Sequence, residues 1–519
     1  MRDRRQRRGH SFLYAVILIS SQLLLLSPAG EAVSAERDFV IRWEPGVFST
    51  VSAKAQLGSN ANCREGLPGL KDGNCGEAEL FDLRNTMSPC SVDDRVSCIK
   101  GLDVKIGNGK WQPARYRSPA FLESYINWKT VPEVDVGPSN NSSIYLSNHD
   151  NGAQYLWHTR VAYRVQRNDI TGVDPGPPRF EIEVVPVKEI RGSTCPKELN
   201  SAFFTNLSAS SENCYIRTAE PDDFNLRMTL SLRHEPRGWI ATYLENASAK
   251  IVRPESGSKK VDLIMEGRRS ILPGAEISLP QEDRTRMAKI CESDAFLKFI
   301  SKTRDHCLSN LSELPGFYFG MTGPNRVLGW NLYLSLLDLF PELDRASIER
   351  PAWAFSVPMN ADQRLSSCRV PQGIYGIAGG NAMVVSEEVP SWNERDASLE
   401  FQVAAPHLRK DGEVASGFYE MQLNVEVAQC LWGVEISASN VKLSVISENG
   451  KTKIATVSVI RKNNMVIFRA SGFSYSASTL KVTLLPKSSR LRCEQGSVTR
   501  IAPQGTLKCP KGWKPVRPR

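Results

Sequence analysis

The chain has little with which to hold a metal. It carries six histidines in 519 residues. CxxC, HxxxH and HExxH are all absent, and His306 beside Cys307 is the sole adjacent His–Cys pair. No structural zinc site and no zinc protease is expected. Common enzyme motifs are missing too. There is no G-x-S-x-G. Ser256 and Lys259 fit S-x-x-K, but the S-D-N and K-T-G companions are lacking. "GIYGIAGGN" (373–381) is glycine-rich without being G-x-G-x-x-G, and no phosphate-binding lysine follows it. It reads as a turn that lets backbone approach closely. No cofactor is expected. After Leu26 no stretch approaches eighteen uncharged apolar residues, so the mature chain is expected to have no transmembrane segment.

Acidic and basic charge are unevenly placed. The net charge is +9. Residues 1–35 hold Arg2, Arg4, Arg5, Arg7 and Arg8 against Asp3 and Glu31, a net +3. Residues 487–519 hold nine Lys and Arg against Glu494, a net +8, which leaves 36–486 at −2. A nucleic-acid-binding surface needs cations across a folded face, and this body has no such excess. No nucleic acid is expected as a partner.

The N-terminus reads as an export signal, with a basic start, an apolar run from Tyr14 to Leu26, and Val33-Ser34-Ala35 as a cleavage site. Secretion or retention in the cell envelope follows. All twelve cysteines lie after the signal: Cys63, Cys75, Cys90, Cys98, Cys195, Cys214, Cys291, Cys307, Cys368, Cys430, Cys493 and Cys509. An even count in an exported chain points to disulfides. Sequence does not fix the connectivity. Short loops close most readily, so nearest neighbours are expected to pair: 63/75, 90/98, 195/214, 291/307, 368/430 and 493/509.

With 41% hydrophobic residues there is ample material for several cores. The pattern is mainly β, expected as several β-sandwich modules, Ig-like or jelly-roll-like, with a helical insert and disulfide staples. Residues 36–192 read as a stapled β region. "GLDVKI", the Asn108-Gly109 turn and a strand with Trp111 form a hairpin signal, and "QYLWHTRVAYRVQ" and "RFEIEVVPVKEI" continue as strands. Residues 193–280 read as a sandwich module from "LRMTLSLRH", "GWIATYL" and "KKVDLIM". Residues 281–349 read as helical, ended by Pro341, and 350–380 as a linker. In 381–486 six strands alternate with polar turns. One of them, "GFYEMQLNVEV", is expected to run unbroken.

The tail from Cys493 is expected to form a small hairpin, "GSVTRIA" against "TLKC", followed by an extended proline-rich run. Lys508, Lys511, Trp513, Lys514, Arg517 and Arg519 are the residues expected to meet an anionic surface, either a cell-wall polymer or lipid headgroups.

"YGIAGGNAMVV", "LEFQVAAPHL", "GFYEMQLNVEVAQCLWG" and "FRASGFSYSASTLKVTLL" together resemble the C-terminal module of uncharacterised secreted proteins of actinobacterial type. "CEQGSVTRI…LKCPKGWKP" is similar to the stapled basic tail of such proteins, and "CSVDDRVSCIKGLDVKIGNGKW" to a segment near their N-termini. The resemblance implies a secreted or envelope protein. It carries no known activity, so it assigns no catalytic residue. For a bacterial chain the N-x-S matches at Asn140, Asn141, Asn206, Asn246 and Asn310 are chance.

The function expected is a structural or binding protein without catalysis, retained at an anionic surface by its tail and able to present loops to a carbohydrate or protein ligand. The alternative is a secreted carbohydrate-active hydrolase with a carboxylate pair in an inter-domain cleft. Asp82, Asp103, Glu181 and Glu183 lie on or beside expected strands and are its candidate acids. His234-Glu235 reads as a polar pair at a strand end.

Overall fold

The computed structural model describes residues 39–44, 56–57, 80–120, 142–168, 179–191, 206–208, 213–253, 260–279, 284–300, 303–309, 317–320, 325–357, 373–387, 389–433, 441–447, 450–452, 455–475, 477–484, 492–495, 498–501, 509 and 511–515. The fold is mainly β, with several sheets and few helices.

Strand Phe224–Leu232 shows why these segments become strands. Phe224, Leu226, Met228, Leu230 and Leu232 are buried, and the residues between them are half-exposed. That period of two matches the pleat, so one face enters a core and the other meets water. Phe224–Leu232 lies between Cys98–Ile106 and Val261–Arg268. Residues read as two modules, 36–192 and 193–280, therefore interleave in one sheet.

The hydrogen-bonded path of that sheet runs Gly238–Thr242, Ile348–Ser356, Arg179–Arg191, Gln154–Asn168, Ser143–Asn148, Gln112–Pro119, Cys98–Ile106, Phe224–Leu232, Val261–Arg268, Glu245–Val252. Its first and last strands are consecutive in the chain. Thr242 makes the corner between them, donating from Oγ1 to Ala354 O at 2.8 Å and accepting from Leu244 N at 3.2 Å. The sheet thus rolls round a single core in which Trp157, Phe224, Met228, Met265, Trp353 and Phe355 meet. Trp157 packs edge-on against Phe224, and Trp353 against Phe355, each at 5.0 Å between ring centroids.

Residues 350–380, read as a linker, contribute two strands, Ile348–Ser356 and Ile374–Gly380. "PAWAFS" is short and Pro-led, which hides its alternation. Trp353 and Phe355 join the rolled core, while Ala354 joins the other core.

The second core belongs to a sandwich. One of its sheets is Ile374–Gly380, Ser416–Asn424, Met465–Ser474 and Thr456–Lys462. The other centres on Ser398–Ala404, which pairs with Val384–Val385, Ser391–Asn393 and Ser478–Leu484, with Val441–Ser447 beyond. Phe401 and Tyr419 face each other across it at 5.2 Å. Helices Arg284–Ile290, Asp294–Ile300 and Asn325–Leu339 place Ile290, Phe296, Leu332, Tyr333 and Leu336 in the same cluster. These helical side chains are core, and Pro341 opens a short 3-10 turn just after the long helix.

The two bodies join where Gly238–Thr242 runs parallel to Ile374–Gly380. A Cβ on Gly376 would lie 2.4 Å from the Trp239 ring and 2.5 Å from Gln422 O, so the backbones approach here only because of glycine. Gln422 Nε2 donates across the seam to Ala247 O and along its strand to Glu420 Oε1 at 2.7 Å.

One expected strand changes type midway. "GFYEMQL" is strand through Asn424, and Val425–Trp432 is a helix. Asn424 caps it by accepting from Glu426 N, and Gly433 ends it at φ 67°. The alternation in "NVEV" suits a strand, but the Asn cap and Gly stop decide for helix.

Two nearest-neighbour disulfides form as expected, Cys90–Cys98 and Cys291–Cys307, with Cα atoms 4.9 and 5.7 Å apart. Cys430 and Cys509 are also disulfide-bonded, and no described cysteine is free. Cys63, Cys75, Cys195 and Cys368 lie outside the described residues. Cys214 sits in strand Asn213–Arg217 and Cys493 in strand Arg492–Gln495.

Candidate functional site

The tail is more ordered than its composition suggests. Arg492–Gln495 pairs with Val498–Ile501, so part of "GSVTRIA" closes on the strand before it, and all of "TLKC" but Cys509 lies outside the described residues. Lys514–Pro515 then returns as a third strand against Cys493 and Glu494. The run after Pro510 therefore turns back, where an extended stem was expected. Gly512, at φ 90°, permits that reversal. Pro515 lacks an N–H and is tolerated on an edge strand. Lys511 and Lys514 are exposed and Trp513 is half-buried. Glu494, the lone acid of the segment, is the register partner of Lys514. Lys508, Arg517 and Arg519 lie outside the described residues.

Of the candidate acids only Glu181 and Glu183 share a strand face; Asp82 and Asp103 lie elsewhere. Asp103 accepts from Arg227 at 2.8 Å, and Arg227 also lies 4.8 Å over the Trp111 ring. Glu183 accepts from Arg217 at 2.7 Å. Four strand spacings separate the strands of Asp103 and Glu183, about 19 Å measured along the sheet. Asp82 pairs in register with Gln166 on the flank of that sheet. Glu235 is gripped by Arg253 through contacts of 2.7–3.1 Å. Ser256 and Lys259 are outside the described residues. The glycine-rich stretch at 373–381 does bring backbones close, but as strand Ile374–Gly380 and not as a turn.

A buried polar cluster lies on the outer face of strands Gln154–Asn168 and Arg179–Arg191. The register sets Arg160 opposite Glu183 and Ala162 opposite Glu181. Arg217 reaches Glu183 from a neighbouring strand. Glu183 and His158 are each 3% exposed. His158 Nε2 meets Ser142 Oγ at 2.7 Å, while Nδ1 is buried without a hydrogen-bond partner. Burial, then the charges of Arg217 and Arg160, pull the imidazole down to about 3, so it is neutral at ordinary pH. Burial also lowers Arg160, opposed by Glu181 and Glu183.

A serine beside an imidazole is half of a nucleophilic site. Here the other half is missing, because no carboxylate holds Nδ1. An imidazolium formed by taking the Ser142 proton would face two guanidinium groups. The electrostatics oppose the proton transfer that such catalysis requires. The cluster's charges instead neutralise one another and tie three strands together. Sequence reading singled out Glu181 and Glu183 but missed Ser142, His158, Arg160 and Arg217. The i, i+2 spacing of 158/160 and 181/183 was the available signal, and it gains meaning only once the register is known.

Among the described residues no group of three or more His, Cys, Asp or Glu could hold a metal ion. No described helix is long and apolar enough to cross a membrane. No protein family, curated protein or solved structure matches the chain.

Proposed function

We propose that this chain is a secreted or envelope-associated binding protein without catalytic activity. In this reading a disulfide-stapled β body is held at an anionic surface by its C-terminal segment. The observation that carries it is charge segregation: +8 within 487–519 against −2 over 36–486. The strand pairing of Lys514–Pro515 on Arg492–Gln495 supports it, because it gives exposed Lys511 and Lys514 a firm base. Near anionic headgroups each such cation contributes about 1 kcal/mol at low salt. Trp513 between the two lysines suits an interface, with an apolar ring and a polar tip. The carboxylates Asp103, Glu183 and Glu235 are each engaged by an arginine, which supports binding over hydrolysis because each is already held by a partner within the protein.

The test is to remove 487–519 and fractionate cells expressing the shortened chain. Release into the medium is the expected result. Unchanged retention removes the tail from the account. Washing the envelope fraction with teichoic-acid-type polymer, and separately with anionic vesicles, distinguishes polymer from lipid.

A further inference from the structure

The hairpin of Ser143–Asn148 and Gln154–Asn168 carries a chain of three side chains from the rolled core to its surface. Trp157 Nε1–H donates to Ser147 Oγ at 2.8 Å, and Ser147 Oγ meets His149 Nε2 at 3.0 Å. Trp157 and Ser147 are both 0% exposed, and His149 is half-buried where the turn begins. The turn also hangs on the backbone of His149. Its N–H donates to Ala153 O, and Gly152 N–H donates to its carbonyl, each at 2.9 Å.

Counting protons fixes the direction of the chain. An indole nitrogen only donates, so it occupies one lone pair of Ser147 Oγ. The Ser147 hydroxyl makes no other hydrogen bond among the described residues. Its own proton is satisfied only by pointing at His149 Nε2. His149 therefore accepts at Nε2 and carries its proton on Nδ1. A second proton, placed on Nε2, turns that acceptor into a donor. Ser147 could then accept it only by leaving its own hydroxyl proton buried and unpaired, which is costly.

The surroundings give a charged ring somewhere to go. Burial holds the imidazole below its ordinary value, opposed by the charge of Asp150. Asp150 is exposed in the turn and accepts from Gln112 Nε2 of the adjoining strand at 3.0 Å. On that strand Arg115 lies between inward Ala114 and Tyr116, so it points to the outer face. From Gln154–Asn168, Tyr155 packs edge-on against the imidazole at 5.5 Å between ring centroids.

We propose that His149 is an acid-released latch on this hairpin. Neutral, it ties the turn at 149–153 to buried Ser147. Protonated, the ring leaves Ser147 for Asp150, and the turn loosens while the rest of the rolled sheet stays paired. The latch is separate from the tail. It is separate also from His158, which follows inward Trp157 and so lies on the other face of the sheet.

The test uses the full chain, isotope-labelled in its histidines and tryptophans, with NMR and amide-exchange protection factors read by residue. Above the titration midpoint of His149, the neutral ring is expected to carry its proton on Nδ1. Below the midpoint, protection at 149–153 is expected to fall about tenfold and the Trp157 indole signal to shift, while protection in Phe224–Leu232 holds. His149→Gln supplies an amide oxygen that accepts the Ser147 proton and does not titrate, so it is expected to keep 149–153 protected at both pH values. His158→Gln is expected to leave the release unchanged. A neutral His149 with its proton on Nε2, unaltered protection across the midpoint, or an equal fall in His149→Gln overturns the latch.

Discussion

The widest pairing within the sandwich sets Ser398 opposite Thr483, 85 residues on. The rolled sheet closes a wider gap, with Ser356 opposite Glu181, 175 residues back. Arg227 meets Asp103 across 124 residues, and Trp353 gives its Nε1–H to Gly267 O across 86. Closing such loops costs entropy before any contact repays it. The two bodies are also furnished differently. The outer face of the rolled sheet holds the buried Glu183–Arg217 pair and neutral His158, whereas the sandwich core is apolar, with Glu420–Arg469 at its margin. Buried ion pairs are weak sources of stability but penalise wrong pairings. The buried cluster joins strands that are near in sequence, Gln154–Asn168, Arg179–Arg191 and Asn213–Arg217, so polar matching orders those neighbours, while the sandwich core is held by packing.

The largest expected effect is in the cores. Trp353→Ala opens a cavity, leaves Gly267 O without its donor, and should cost about 3–5 kcal/mol. Phe468→Ala in the sandwich should cost a similar amount. Denaturant unfolding of both variants, followed by fluorescence and circular dichroism, should give one shared transition if the seam couples the bodies. Two separated transitions would break the comparison into independent domains.

Gly376→Ala addresses the seam itself. The added Cβ meets both a ring and a backbone carbonyl, so about 3 kcal/mol of destabilisation is expected. The two bodies should then begin to melt apart.

A smaller effect comes from His158. Its folded pKa, about 3, lies below the ordinary 6.5. Above that ordinary value both states are neutral and the stability is complete. On acidification the unfolded chain takes up a proton that the native chain refuses, so stability is lost as pH falls toward about 3. Between about pH 8 and about pH 5 the loss should reach about 2 kcal/mol. His158→Gln should flatten that part of the pH–stability curve, while the sandwich variant Phe468→Ala keeps it.

Arg227→Ala removes a half-exposed pair with Asp103 and a cation–π contact with Trp111, and should cost no more than about 1 kcal/mol. A larger loss would mean that surface charge does more for the rolled sheet than the buried pair.

Much of the fold was legible as segments. The alternation in "LRMTLSLRH" and the stop at Pro341 each have a local cause, and each element lies where that cause puts it; the hairpin between Cys98–Ile106 and Gln112–Pro119 forms, but its positive-φ residue is Gly107, at 49°, and not Asn108 or Gly109. Partnership was not legible. Nothing within 98–106 or 224–232 says that they pair, because any alternating strand satisfies either neighbour. Residues 350–380 passed for a linker because Trp353 and Phe355 serve one core while Ala354 serves the other. At Asn424 a cap outweighed a strand-like period. The buried cluster around His158 required the register of two strands before its members could be seen as neighbours. The tail's charge could be read directly, and its return as a strand could not, because that depends on Gly512 and on a partner for Pro515 twenty-two residues back at Cys493.

The most direct test of the account is equilibrium binding of the full oxidised chain to anionic vesicles over a range of salt concentration, beside a variant with Lys508, Lys511, Lys514, Arg517 and Arg519 changed to Gln. The full chain is expected to bind, to weaken steeply as salt rises, and to ignore neutral vesicles, while the variant stays in solution with its fold intact. Equal binding by both chains, or binding indifferent to salt, would contradict the claim that a cationic tail holds this β body at its surface.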